Sequence, residues 1–306
     1  MAPPGERVLR PLVVLVGPTA CGKTALALAL ADRCPLEVVS ADSRTVYRWM
    51  DIGTAKPTAD ELARVPHHLV DVVDPDEPFT LAQYQTAALA AIERVFERGR
   101  QPVLVGGAGL YVSAVCDGLR LPEVPPDDVF RRRLEERARA EGWQALQADL
   151  GRVDPESAQR IEPRNVRRVI RALEVHHATG IPFSAFQQRT APPFKPVFIG
   201  LDVDRQELYR RIDTRIDDWL AQGFIEEVQR LLSRGYAEKL PSMSGIGYRE
   251  IARLLRGELT LEEATRQVKH ATHQYARRQL TWFRRDQRVQ WLSQPTPDDV
   301  LRFLDR

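Results

Sequence analysis

The sequence predicts an α/β fold: a parallel β-sheet flanked by helices, with an all-helical subdomain inserted into it and a helical C-terminal region. Three observations predict it. Short apolar runs alternate with helical spacing over the first third of the chain, a Pro-bounded charged stretch occupies the middle, and a basic segment carrying aromatic residues lies near the end. Strands that alternate with helices imply parallel pairing with both faces of the sheet covered.

A chain of 306 residues, 43% hydrophobic and 28% charged, can bury a full core in one or two domains. The net charge of +2 makes no case for a nucleic-acid partner, so any such case rests on where the basic residues fall. Cys21, Cys34 and Cys116 lack disulfide or zinc spacing and fit a reducing compartment. No apolar run approaches the roughly 20 residues that span a bilayer, and residues 1–10 lack the apolar centre of a signal peptide. The expectation is a soluble, cytoplasmic protein that does not contact membranes.

The elements follow in order. Residues 11–16 form an apolar, β-branched run ending at Gly17, the pattern of a buried parallel strand. Residues 22–34 carry Leu26, Leu28, Leu30 and several alanines, a helix packed on a sheet. Further strands are expected at 36–41, 69–73, 102–105 and 197–203, with a helix at 81–98. The core is thus expected over 11–118, the helical insertion over 119–192 and a return to the core with a basic helical region over 193–292. The ends, 1–10 and 293–306, are expected to be flexible or peripheral.

Gly17, Pro18, Thr19, Ala20, Cys21, Gly22, Lys23 and Thr24 match the phosphate-binding pattern G-x-x-x-x-G-K-[ST] in full, which makes the fold P-loop NTPase-like. The glycines let backbone N–H groups curl around phosphate oxygens at a helix N-terminus. Lys23 adds a point charge, and the Thr24 hydroxyl can hold Mg²⁺. A chance match in a loop is the alternative, and the flanking strand and helix oppose it. Asp42 ends the second strand, where open α/β sheets place their sites, so it and Thr19 could face the phosphate end of the crevice; simple capping of the next segment is the bland reading. Lys56 reads equally as a second phosphate contact or as a solvated loop residue. Asp71 and Asp74 are candidates to position Mg²⁺ through water. The 102–105 strand ends instead in Gly106-Gly107-Ala108-Gly109, which offers close backbone approach and no carboxylate. His67 and His68 are adjacent, so they face opposite sides of a strand and read as structural.

Residues 265–288 contain seven Lys/Arg against one acid, with Tyr275, Trp282 and Phe283 interleaved. Basic side chains grip phosphates and aromatic faces stack on unpaired bases. Arg164, Arg168 and Arg171 have the spacing of one helical face in the insertion. Each cluster alone reads as a solvated face; two of them beside a P-loop point to RNA. Trp282 and Phe283 read equally as core residues.

Several longer strings resemble the tRNA dimethylallyltransferases, also called tRNA isopentenyltransferases or the IPP transferase family. They are the P-loop, Ser40-Ala41-Asp42-Ser43-Arg44 with Val46-Tyr47-Arg48, and the run from Met50 to Pro57. The others are Pro66-His67-His68-Leu69, the run from Asp71 to Pro75, the run from Gly106 to Tyr111, the run from Arg171 to Val175, and the run from Arg278 to Arg284. The resemblance covers residues 12–292. It implies a prenyltransferase that moves a dimethylallyl group from dimethylallyl diphosphate to N6 of the adenosine immediately 3′ of the anticodon, in tRNAs reading codons that begin with U. It also implies dependence on Mg²⁺ and a helical insertion that grips the anticodon stem-loop; nothing in the sequence suggests an obligate dimer, and a monomer is expected.

Carried over by position, the resemblance makes Asp42 the general base and assigns the diphosphate to Thr19, Lys23, Thr24 and Arg215. The tRNA-contacting residues it implies are Asp42, Ser43, Arg44 and Thr45; Ala108 and Arg131; and Arg167, Arg168, Val169, Ile170 and Arg171. It adds Ser244, Gly245, Ile246, Gly247, Tyr248 and Arg249, and finally Arg277, Arg278, Gln279, Leu280, Thr281, Trp282, Phe283 and Arg284. Two residues depart from the family pattern. Ala108 stands where Thr is common, and Trp49 where Gly is usual.

A P-loop is ordinarily read as a nucleotide (ATP) site, so an RNA-binding NTPase or a small-molecule kinase is the rival from another class. It would want a clear acid after the fourth strand, which is missing. An adenylate isopentenyltransferase, acting on free nucleotides, would need no stem-loop clamp. A non-catalytic RNA-binding module would leave Asp42 beside an intact P-loop unexplained.

Overall fold

The computed structural model describes residues 9–187 and 189–304. The chain divides into two compact units, one from Met1–Cys116 with Pro193–Arg306, the other from Asp117–Pro192.

The first unit is organised around β1 (Pro11–Val16), whose residues 12–16 have no exposed surface. A run of Leu and Val suits a strand with neighbours on both edges and helices on both faces. The chain continues through α1 (Lys23–Ala31), β2 (Leu36–Ser40), α2 (Ala59–Arg64), β3 (His67–His68), α3 (Leu81–Glu97), β4 (Gln101–Gly106) and α4 (Gly109–Cys116). The second unit holds α5 (Asp128–Glu141), α6 (Trp143–Val153), α7 (Pro155–Arg160) and α8 (Val166–Thr179). The first unit then resumes with β5 (Lys195–Asp202), α9 (Arg205–Ala221), α10 (Phe224–Ser233), α11 (Tyr248–Leu255), α12 (Leu261–Phe283), β6 (Gln290–Ser293) and α13 (Pro297–Leu304).

The strands form one parallel sheet in the order β3-β2-β4-β1-β5-β6, with Val13 opposite both Val103 and Val197. Side chains alternate across a strand, so Val13 and Leu15 enter one apolar layer while Leu12, Val14 and Val16 enter the other. The first layer packs on α1, α9 and α12, the second on α3 and α4. A third cluster joins Val46, Tyr47 and Met50 to Phe224, Val228, Tyr248 and Ile251 of α10 and α11. Parallel strands bring the loops after β1, β2 and β4 to the same edge of the sheet, where open α/β sheets bind ligands.

Two expectations about the elements change. The strand expected at 69–73 does not form: β3 stops at His68, and Leu69 (φ 64°) and Asp71 (φ 55°) turn into the left-handed region and prevent extended pairing beyond it. A single bridge between Tyr47 and Val73 remains of it. At the C-terminus, the end expected to be flexible or peripheral from residue 293 instead carries the last residue of β6 and all of α13. Thr296 and Asp299 cap α13 reciprocally, and Val300 is fully buried against the first layer. Residues 1–8 lie outside the described residues.

The second unit has its own core of Leu134, Leu146, Leu150, Ile161, Val169, Ile170 and Leu173. Asn165 caps α8, so Arg164 precedes the helix and does not share a face with Arg168 and Arg171. Glu174, 1% exposed, accepts hydrogen bonds from Arg131 Nε (2.8 Å) and Nη2 (2.9 Å), from Asp127 N–H (2.8 Å) and from Arg171. Arg131 and Arg171 thus neutralise a buried carboxylate.

Candidate functional site

The P-loop leaves β1 through Gly17 (φ 146°), Ala20 (φ 64°) and Gly22 (φ 101°) and enters α1 at Lys23. Three left-handed turns in six residues curl the chain in the way an anion nest requires. Lys23 Nζ donates to the carbonyls of Gly17 (3.0 Å) and Pro18 (2.7 Å), so its ammonium is held over the loop. Thr19, Gly22, Lys23 and Thr24 are half-buried, while Pro18, Ala20 and Cys21 face the core. Thr19 N–H donates to Gln279 Oε1 of α12 at 2.8 Å, and Gln279 Nε2 donates to Gly107 O at 2.9 Å.

That second bond explains part of the Gly106-Gly107-Ala108-Gly109 string. A Cβ on Gly106 would lie 2.1 Å from Ala41 O, one on Gly107 2.1 Å from Gln279 Nε2, and one on Gly109 2.2 Å from the Trp282 indole. Each glycine admits a different neighbour. Ala108 N–H donates to Ala41 O, and Ala108 O accepts from Val112 as α4 begins.

Asp42 follows β2 at the same edge. Its Oδ1 accepts from Arg44 N–H at 2.8 Å, fixing the carboxylate, and Oδ2 has no hydrogen bond among the described residues. Arg44 reaches away to the carbonyls of Pro241 (2.7 Å) and Ser242 (3.2 Å) and to Ser244 Oγ, so the expected segments 42–45 and 244–249 do meet. Residue reading missed the phenols around Asp42. The rings of Tyr84 and Tyr111 stack with centroids 3.8 Å apart. Burial pushes the pKa of Tyr84, Tyr111 and Tyr275 up, and the Asp42 charge adds to it in each. Tyr111 and Tyr275 lie inside strings already singled out, Tyr275 as an aromatic interleaved with the basic segment, but nothing in the sequence placed either beside Asp42.

Arg215 of α9 is half-buried and makes no hydrogen bond or ion pair among the described residues. Burial pushes its pKa down, opposed by Cys21 of the P-loop and by Glu61. An arginine in that state is suited to an anionic ligand.

Other candidates are used differently. Lys56, with a side chain 5% exposed, is neither a phosphate contact nor solvated: it donates to Tyr47 O (3.0 Å) and Asp71 (2.6 Å) and pairs with Asp51. Asp71 is thereby engaged, and Asp74 pairs with Arg48 at 3.0 Å, so neither is a free metal-positioning acid. His68 bonds to buried Glu37, which Arg98 also holds. Thr45, Val169, Ile170, Gly245, Gly247, Tyr248, Gln279 and Phe283, expected to touch RNA, are buried. Tyr248 OH donates to Glu227, Thr45 bonds Ser40, and Phe283 joins the second core layer. Ile246 and Leu280 pack partly against the first layer. Arg167, Arg168, Arg249, Arg277, Arg278, Thr281, Trp282 and Arg284 are exposed, and Ser43 is half-buried. An open groove of about 440 Å³ along α12 is lined by Gln274, Arg277, Arg278, Thr281, Trp282 and Arg285. Among the described residues no three His, Cys, Asp or Glu side chains form a metal cluster, and no helix is long and apolar enough to cross a membrane.

Residues 45–286 match the family described as IPP transferase. This chain belongs to the IPP transferase family. A tRNA dimethylallyltransferase of Roseiflexus castenholzii is 54% identical over 292 residues, covering 95% of each chain. The crystal structure of a tRNA isopentenylpyrophosphate transferase from Bacillus halodurans is 43% identical, with TM-score 0.71 over 97% of this chain and 95% of that one. A eukaryotic dimethylallyltransferase described as acting on tRNA is 28% identical, with TM-score 0.78 over 93% of this chain and 74% of that one. The family match begins after the P-loop and Asp42, while the relatives span nearly the whole chain. Membership makes this α/β chain a transferase.

Proposed function

We propose that the chain transfers a dimethylallyl group from dimethylallyl diphosphate to N6 of the adenosine immediately 3′ of the anticodon, in tRNAs that read codons beginning with U. The observation that carries this reading is the pairing, at one sheet edge, of a phosphate loop with a carboxylate that has one free oxygen. A departing diphosphate needs the first, and an amine that loses a proton needs the second. The exposed arginines of α12 and the similarity to enzymes named for tRNA support RNA as the acceptor.

The adenine amine is a weak nucleophile, because its lone pair is delocalised into the ring. The allylic donor compensates, because its C1 gains cationic character as diphosphate leaves. The N6 lone pair forms the new bond to C1, the C1–O bond breaks with its electron pair going to diphosphate, and the N6 proton passes to Asp42 Oδ2. Lys23, Arg215, the Thr19 hydroxyl and the loop amides stabilise the charge that accumulates on the leaving group. The Thr24 hydroxyl, without a hydrogen bond among the described residues, fits Mg²⁺, a hard cation that takes few protein ligands beside substrate phosphates. Bound there, Mg²⁺ would add positive charge against the departing diphosphate. Bringing the adenosine out of its stack costs a few kcal/mol, which phosphate contacts from Arg167, Arg168, Arg277, Arg278 and Arg284 to the anticodon stem-loop offset. The reading is completed by action as a monomer in the cytoplasm.

The test is an incubation of unmodified tRNA with dimethylallyl diphosphate and Mg²⁺, followed by nucleoside analysis, with ATP hydrolysis measured in parallel. N6-dimethylallyladenosine is expected; ATP hydrolysis without it would replace this reading with an NTPase. Asp42→Ala should lower kcat by about 10²–10⁴-fold, the range for a lost general base, with tRNA affinity nearly unchanged. Wild-type turnover by that variant would remove Asp42 from the base role.

A further inference from the structure

We infer that Gln279 sets this P-loop for two phosphates rather than three, by taking the Thr19 amide out of the loop's donor set. The inference rests on the reading above that the loop holds a diphosphate. Gln279 is 5% exposed, and both ends of its carboxamide are used. Oε1 accepts from Thr19 N–H at 2.8 Å, and Nε2 donates to Gly107 O at 2.9 Å. The amide cannot turn over. Reversed, its NH₂ would face the Thr19 donor and its oxygen would face the Gly107 acceptor, leaving two buried mismatches. The lack of a side chain at residue 107 makes room for this arrangement, since a Cβ there would sit 2.1 Å from Nε2. Buried Ala276 and Phe283 fix α12 on either side of Gln279.

Thr19 is the third residue of the loop, on the strand side of the nest. The amides next to the helix start cradle the phosphates bound there, and on this inference the strand side of the nest, where Thr19 lies, faces the next phosphate out. A third phosphate would therefore meet a neutral carboxamide in place of a free N–H. Two phosphates still find the amides of the loop's helix end, with Lys23 and Arg215. Because the carboxamide is uncharged, it withholds this donor without repelling the diphosphate. Gln279 is on this view a positioning residue that acts through Thr19.

Calorimetric titration with inorganic diphosphate and with tripolyphosphate tests this on the wild type, Gln279→Ala and Gln279→Met. The Met variant fills the same volume without hydrogen bonds and guards against collapse of the site. The wild type is expected to prefer diphosphate, and both variants should narrow that preference by roughly tenfold, the scale of one hydrogen bond to a charged group. A merely structural role would weaken both anions alike and leave their ratio unchanged. Wild-type binding of diphosphate with an unchanged ratio in both folded variants would overturn this inference alone, as would a wild-type preference for tripolyphosphate. A wild type that binds neither anion would overturn the diphosphate reading with it.

Discussion

Trp49 holds a backbone conformation that its side chain disfavours. Its φ is 69°, in the left-handed region, where a side chain costs roughly 1–2 kcal/mol. The cause lies far away in sequence: the Glu227 carboxylate accepts from the N–H groups of Asp51 (2.9 Å), Ile52 (2.7 Å) and Gly53 (3.2 Å) and fixes the turn that follows. The Arg234 guanidinium, 4.1 Å from the indole centroid, returns part of the cost, about 0.5–1 kcal/mol at an exposed site. Trp49→Ala keeps the strained backbone and loses that contact, whereas Trp49→Gly loses the contact but relaxes the backbone. The Gly variant should therefore be more stable than the Ala variant by about 1 kcal/mol in denaturant titrations; the reverse order would show that the turn is unstrained. Ala108 poses a related problem at the start of α4, where its carbonyl accepts from Val112 N–H but its side chain offers no cap. Ala108→Thr should add about 1 kcal/mol by giving the first turn of α4 a side-chain cap, read in the same titration. Both departures were legible as letters. Their consequences were not, because the backbone around residue 49 is held by Glu227, and residue 108 is held by Ala41 just after β2.

The elements divide in a similar way. β1, α1 and β2 could be read directly, because each carries its own signal of buried apolar runs and phosphate-loop chemistry. The stretch 69–73 has an apolar composition that fits a strand, but left-handed residues at 69 and 71 break it. β6 and α13 are short and gain their burial from α1 and β5, so their local pattern was weak. In α12 the apolar spacing left Trp282 and Phe283 equivalent, and only packing separates them: Phe283 is buried and Trp282 lies 47% exposed over Gly109. In the second unit the buried Glu174 was invisible, since it reads as one more acid on a charged helix. Burial acts to raise its pKa, but hydrogen bonds from Arg131, Asp127 N–H and Arg171 outweigh this and hold it below 4.5. A depressed native pKa contributes stability in full above the unfolded-state value and loses it as pH falls through the native one. Amide exchange in α5 and α8 should therefore quicken as pH falls below 4.5, after correction for the intrinsic rate. Glu174→Gln should flatten that dependence and destabilise the unit by about 2–3 kcal/mol at neutral pH, less than a fully buried pair because the arginines stay partly exposed. A variant with unchanged exchange at both pH values would reduce Glu174 to a bystander.

At the scale of the molecule, 44 basic residues almost cancel 42 acidic ones, so affinity for RNA cannot come from net charge. It must come from which arginines lack a partner. Most are committed within the protein: Arg33 to Asp298, Arg64 to Asp32, Arg98 to Glu37 and Arg131 to Glu174. Arg277 and Arg285 line the α12 groove, and neither side chain makes an ion pair among the described residues. Each phosphate that a protein neutralises releases counterions, which steepens the fall of log K with log salt by about 0.7 on single strands and 0.9 on duplex. Removing two such contacts by Arg277→Ala with Arg285→Ala should therefore make the slope for tRNA binding shallower by about 1.5. Arg33→Ala with Arg64→Ala removes the same formal charge from residues already paired elsewhere, and its slope should match the wild type. Equal changes from both double variants would mean that tRNA responds to the total charge of the protein. No change from the α12 pair would move the RNA off that groove.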